Sequence, residues 1–302
     1  MGFMGYRELF TSQSNVFSGF CKSFNEADYV VIGVPFDVTS TYRTGARFGP
    51  NAIRAASLNI ETYSFRTGMD VEDIRVHDLG DLHVSTDTLQ TLEKLELVVK
   101  EVVEKGKKPV VIGGEHTITL GVLKGFGAKV SKTAIISLDA HLDLRDEFMG
   151  LRLSHTTFMR RINEEVKPVK IVEAGTRAVC KEEIQYAQKN EITYLTAHQI
   201  KKAGVEQAIK LLKKELEDVE NIYISVDMDV LDPAYAPAVQ NPEPEGLVPS
   251  NLLDILYEMC DKRLLGFDVV EVAPNYDMGV TAIQAAKVIF EMLCNLERWR
   301  KS

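Results

Sequence analysis

Eight short runs of the chain read as strands, at 29–34, 74–79, 109–112, 133–138, 169–174, 192–195, 222–226 and 267–270. Most are apolar at odd and even positions alike, as in Val110-Val111-Ile112 and Ala134-Ile135-Ile136, which predicts strands buried on both faces. Between them apolar residues recur at steps of three and four. Leu89, Leu92, Leu95, Val98, Val99 and Val102 form one stripe within 87–105; Ala282, Ala286, Ile289, Met292, Leu293 and Leu296 form another within 280–299. Helices are also predicted near 51–58, 117–125, 155–164, 181–189, 205–219 and 249–261. Strands alternating with helices predict an α/β fold of three layers, with a mostly parallel eight-stranded sheet between helices; a closed barrel is the alternative. One domain spanning 1–302 is expected, opening with a polar, irregular arm at 1–27.

The polar residues that follow these runs change the picture from fold to chemistry. The 133–138 run leads into Asp139, His141 and Asp143, which share one face if the chain stays extended. The 222–226 run leads into Asp227 and Asp229, the 109–112 run into Glu115 and His116, and the 267–270 run into Glu271. In open parallel sheets ligands bind beyond the carboxyl ends of the strands, where all of these fall. Buried carboxylates need a paired charge or a cation. Four Asp and two His without Cys suit Mn²⁺, and five carboxylates in all are better balanced by two bridged ions than by one. A water shared by two such ions loses a proton near neutral pH, which points to hydrolysis.

Composition excludes more than it assigns. The 302 residues carry a formal net charge of -9, which speaks against nucleic acid and suits a cationic substrate. No apolar run reaches the roughly 20 residues of a membrane helix. The first residues show no basic-then-apolar leader, and Tyr6 stands where acylation at Gly2 would want Ser or Thr, so a cytoplasmic location is expected. Cys21, Cys180, Cys260 and Cys294 are scattered, and reduced, mostly buried thiols are expected.

Three motifs together resemble the signatures of the ureohydrolase (arginase/agmatinase) family: Gly113-Gly114-Glu115-His116, Asp139-Ala140-His141-Leu142-Asp143, and Ser225 through Pro233 with Asp227-Met228-Asp229. They occur in the family's order, within a likeness spanning about 30–297. The stretches Gly33-Val34-Pro35-Phe36-Asp37 and Gly266-Phe267-Asp268 through Pro274 look most like agmatinases. The resemblance implies an arginase-like fold, two manganese ions per chain (nickel being the alternative) and a homo-oligomer, trimer or hexamer. It implies that His116, Asp139, Asp143 and Asp227 hold one ion. Asp139, His141, Asp227 and Asp229 hold the other, and hydroxide bridging the ions attacks a guanidinium carbon. Asp143 then passes a proton to the leaving amine, Glu271 orients the guanidinium, and His155 shuttles protons. Agmatine, giving putrescine and urea, is the expected small cationic guanidino substrate; arginine, guanidinobutyrate and guanidine are the alternatives.

Two departures bear on the substrate's tail. Ala238-Val239-Gln240-Asn241 stands where many agmatinases have a Gly-Thr run, and the loop 144–154 carries Asp146 and Glu147 as candidates for meeting a terminal ammonium. Asp232 reads as a helix cap, His77, His83 and His198 as surface or loop residues, and Glu115 as pointing away from the ligands. The rival classes are a one-metal deacetylase-type hydrolase and a metal-binding regulatory protein without turnover.

Overall fold

A computed structural model describes residues 5–12 and 15–301. Its centre is a parallel sheet of eight strands: β1 Tyr29–Val34, β2 Val76–Leu82, β3 Lys108–Gly113, β4 Thr133–Leu138, β5 Lys170–Thr176, β6 Thr193–Thr196, β7 Asn221–Asp227 and β8 Leu264–Val270. Their spatial order is β2-β1-β3-β8-β7-β4-β5-β6, and the two-residue strand Thr11–Ser12 adds an antiparallel edge beside β2. The sheet is open, so the barrel alternative is set aside. Strands β3, β8, β7 and β4 lie side by side at its middle, which brings their carboxyl ends together.

Successive residues of one strand enter opposite halves of the core. Ile112, Ile136 and Ile224 pack on one face; Val111, Ile135 and Tyr223 pack on the other. Helices cover both faces, and each buried aliphatic side chain contributes about 1.5–3 kcal/mol. The longest are α1 Thr88–Glu104 and α2 Val280–Lys301, which bury their apolar stripes as their spacing predicts, except that Leu89, in the first turn of α1, is exposed.

Several boundaries move for physical reasons. The strand expected at 74–79 is β2, whose inward residues Val76, Asp78, Gly80 and Leu82 include a carboxylate that breaks the apolar pattern. The helix expected at 155–164 starts at Phe158 and continues as a π-helix over Ile162–Val166, so His155 lies before it. A helix at Ala197–Ala203, capped by Thr196 with Gln199, was not predicted. The arm is not wholly irregular: Tyr6–Phe10 is helical and Phe17 is buried. Residues 1–4, including the Gly2 considered for acylation, lie outside the described residues. Cys260 and Cys294 are buried, Cys180 is half-buried and Cys21 is exposed. Among the described residues no helix is long and apolar enough to cross a membrane.

Candidate metal centre

The site begins where the four central strands stop. After β3 the backbone turns tightly: Gly114 donates to the Val34 carbonyl and Glu115 to the Phe36 carbonyl. A Cβ on Gly114 would stand 1.8 Å from the Phe36 oxygen, so only glycine fits. That turn delivers His116. Asp139 and His141 follow β4, Asp227 ends β7, Asp229 follows it in a 3₁₀ turn, and Glu271 follows β8. The extended chain expected through Asp143 is not found. The strand ends at Leu138 and Asp143 has φ 52, a left-handed residue in a loop. Glu271 has φ 70, so both carboxylates expected to act on substrate sit in sparsely populated backbone conformations, as functional residues often do.

These loops bring the side chains together. His116 Nδ1 lies 3.0 Å from Asp139 Oδ2, 3.1 Å from Asp227 Oδ2 and 3.9 Å from Asp143 Oδ2. His141 Nδ1 lies 3.0 Å from Asp229 Oδ2 and 3.5 Å from Asp139 Oδ1. His116, Asp139 and Asp227 make one group able to hold a cation, and Asp139, His141 and Asp229 make a second, with Asp139 common to both. Asp143 stands farther off and is joined to the first group through His116.

Hydrogen bonding tests whether a metal fits. His116 Nε2 is 2.7 Å from Ser225 Oγ, and the Ser225 hydroxyl donates to Asp268 at 2.5 Å. Ser225 therefore accepts from Nε2–H, which leaves Nδ1 bare. That nitrogen has no hydrogen-bond partner of acceptable geometry among the described residues, although two carboxylate oxygens face it. A lone pair aimed at carboxylates calls for a cation between them, and the second partner that fixes the ring is the arrangement metal-binding histidines use. The residues thus fit a divalent ion.

The electrostatics agree. Burial lifts the Asp143 and Asp227 carboxyls well above the usual range, helped by Asp139 beside the first and by Asp229 and Asp139 beside the second. Burial opposes charge on His116 and His141, but the surrounding carboxylates win and raise both. Burial also favours protonation of Asp139, yet the two histidine rings beside it pull it down. Without a cation this cluster competes for protons, which a metal would have to displace.

Four residues of the cluster, His141, Asp143, Asp227 and Asp229, line a cavity of about 460 Å³ whose wall also includes Thr41, Arg145, Phe148, His155, Glu183, Asn241, Glu243 and Glu271. Glu271 accepts from the His116 amide at 2.7 Å, and burial pushes its carboxyl up to about 8. Burial and the neighbouring His141 and His116 push His155 down to about 4. Asp146 and Glu147 do not line the cavity. Asp146 instead pairs with Arg161 at 2.9 Å and Arg152 at 3.2 Å. Asp232 caps no helix; it accepts from the Ala234 and Gly246 amides in a turn away from the ligands. Glu115 does point away from the ligands, but it is buried against Thr39 and Thr117. Sequence reasoning missed Thr39, Ser225, Asp268 and Glu243. Only Ser225 and Asp268 carried a signal, as polar residues inside apolar strands.

A sequence model of the Arginase family matches residues 27–294. The chain is 40% identical over 273 residues to an uncharacterised 32.2 kDa protein of Methanothermus fervidus, covering 89% of this chain and 92% of that one. It is 36% identical over 282 residues to the agmatinase of Bacillus subtilis, covering 92% and 95%. The crystal structure of agmatine ureohydrolase of Thermoplasma volcanium superposes with a TM-score of 0.88 at 34% identity, covering 96% of both chains. With the same open sheet and an acidic, histidine-bearing cluster at its carboxyl edge, the chain belongs to the arginase family and is a ureohydrolase, a hydrolase of guanidino compounds.

Proposed function

We propose that the chain is a binuclear manganese amidinohydrolase that converts agmatine to putrescine and urea. His116, Asp139, Asp143 and Asp227 would hold one ion, and Asp139, His141, Asp227 and Asp229 the other. When bound, the ions supply Lewis acidity that brings the loss of a water proton close to neutral pH. Glu271 has one oxygen committed to the His116 amide, which leaves the other to accept from the substrate's guanidinium. Asp143, at the edge of the cluster 3.9 Å from His116, would take up a proton there and pass it to the leaving amine. His155, neutral at working pH, takes protons from the cavity toward solvent.

The bare Nδ1 of His116 among carboxylates carries the metal reading. Glu243 carries the choice of agmatine. Its half-buried carboxylate lines the cavity and has no side-chain partner among the described residues. The nearby Arg145 guanidinium already lies 3.9 Å from Glu183 and over the Phe148 ring. The other arginine of the wall, Arg177, directs its guanidinium at backbone carbonyls, including those of Asp229 and Glu243. The side chain left open to a substrate is therefore the Glu243 carboxylate, which favours an ammonium tail over one ending in carboxylate. Urea release from agmatine, arginine, guanidinobutyrate and guanidine, after chelation and manganese add-back, tests this. Agmatine is expected to give the highest kcat/KM; agmatine ranking last would reject the assignment.

A further inference from the structure

The proton shuttle proposed above is tied to a part of the molecule with no place in the metal cluster. Thr39 lies in the loop after β1. Its hydroxyl is 2.5 Å from Glu115 Oε1, 3.1 Å from the His155 backbone nitrogen and 3.1 Å from His155 Nδ1. Glu115 is fully buried and also receives the Thr39 amide at 2.7 Å and the Thr117 hydroxyl at 2.6 Å. On the far side of the ring, His155 Nε2 is 3.2 Å from the hydroxyl of Thr41, which lines the cavity.

These contacts have a direction. Three donors converge on the two Glu115 oxygens, and these bonds favour the accepting carboxylate form against the burial that pushes the group up to about 7. A hydroxyl has one proton and two lone pairs. Thr39 gives its proton to Glu115, so both lone pairs face donors: the His155 amide and the His155 ring. Nδ1 must then carry the ring's hydrogen, and Nε2 is left bare toward Thr41 and the cavity.

We propose that Glu115 and Thr39 are positioning residues that lock His155 in the Nδ1–H tautomer, presenting Nε2 to the cavity as the proton-accepting atom. The inference rests on the shuttle role assigned to His155. It also explains the burial of Glu115, whose carboxylate touches neither the metal cluster nor the cavity wall. Replacing Glu115 by Gln reverses the direction. An amide oriented to accept from the Thr39 N–H offers its NH₂ to the Thr39 hydroxyl, which then donates to Nδ1 and drives the hydrogen to Nε2.

The test combines kinetics on the manganese enzyme with ¹⁵N NMR of ring-labelled histidine in the enzyme loaded with zinc, a diamagnetic ion. Wild type and Thr39→Ser are expected to show His155 protonated at Nδ1, with kcat for agmatine equal within about three-fold. Thr39→Val and Glu115→Gln are expected to lose that tautomer. Their kcat should fall about 10- to 100-fold, with KM within about three-fold of wild type. A purely packing role predicts the opposite for these two variants: an unchanged tautomer whatever happens to kcat, and that result overturns the proposal. Failure of Thr39→Val to fold leaves Glu115→Gln to decide by the same two readouts. His155→Asn separates the tautomer lock from the shuttle reading. An unchanged kcat in that variant rejects the shuttle, while the NMR result speaks for the lock alone.

Discussion

Two buried acidic clusters in this molecule solve the same problem differently. Beneath the edge of the sheet, Asp78 and Asp81 surround Arg54, which is fully buried. Asp78 takes two bonds from the guanidinium, at 2.8 and 2.9 Å, and backbone donors from Phe17 and Gly80; Asp81 takes a third at 2.5 Å. At the carboxyl edge Asp139, Asp143, Asp227, Asp229 and Glu271 have no lysine or arginine within ion-pair distance among the described residues. The first cluster brings its cation with it. The second has only histidines and a few backbone donors, and burial drives Asp143, Asp227 and Glu271 toward protonation. Where evolution wants structure it supplies an arginine; where it leaves the charge open, a mobile cation and chemistry enter.

The comparison is sharpened most by removing the resident cation. Arg54→Met strands Asp78 in the core and is expected to lower stability by about 3–5 kcal/mol in denaturant titrations, with metal added or not. Asp227→Asn should behave in the reverse way. The metal-free protein should be as stable as wild type or more so, because repulsion with Asp229 and Asp139 is relieved. Its affinity for manganese should fall by more than about 100-fold in calorimetry, beyond the loss typical of outer partners. Equal destabilisation of both variants without metal would erase the distinction.

A smaller effect is a pH slope. Glu271 titrates near 8 in the folded chain, and Asp143, Asp227, His116 and His141 are also raised above their ordinary values. Raised groups stabilise the fold below their unfolded pKa, and that contribution is lost as pH climbs through the folded one. Metal-free protein should therefore lose stability between about pH 4 and 8, while metal binding strengthens with pH. The gap in Tm between metal-loaded and metal-free protein should widen across that range; parallel curves would contradict the account. The smallest effect expected is that of Glu243→Gln. It should raise KM for agmatine about 10-fold with little change in kcat, since the ammonium tail lies far from the reacting carbon.

Much of this was legible in the chain. Strands apolar on both sides, such as Ala134-Ile135-Ile136, can only be central, and the polar residues that end them can only meet at the sheet's edge. That fixed which side chains gather in the cavity. It did not fix how. Asp143 reaches the cluster through a left-handed residue, not through strand alternation. Arg54, Asp78 and Asp81 lie on an ordinary-looking helix and strand, and only tertiary packing shows that they pair. Thr39 and Glu115 are 76 positions apart, and nothing local marks their bond.

The central claim is that the second cluster needs cations from outside the chain. Manganese titration of the chelated protein, followed by calorimetry and elemental analysis, tests it most directly. Two ions per chain, with urea release appearing only as they bind, is the expected result. Full activity in the chelated protein, or no manganese bound by the folded chain, would contradict it.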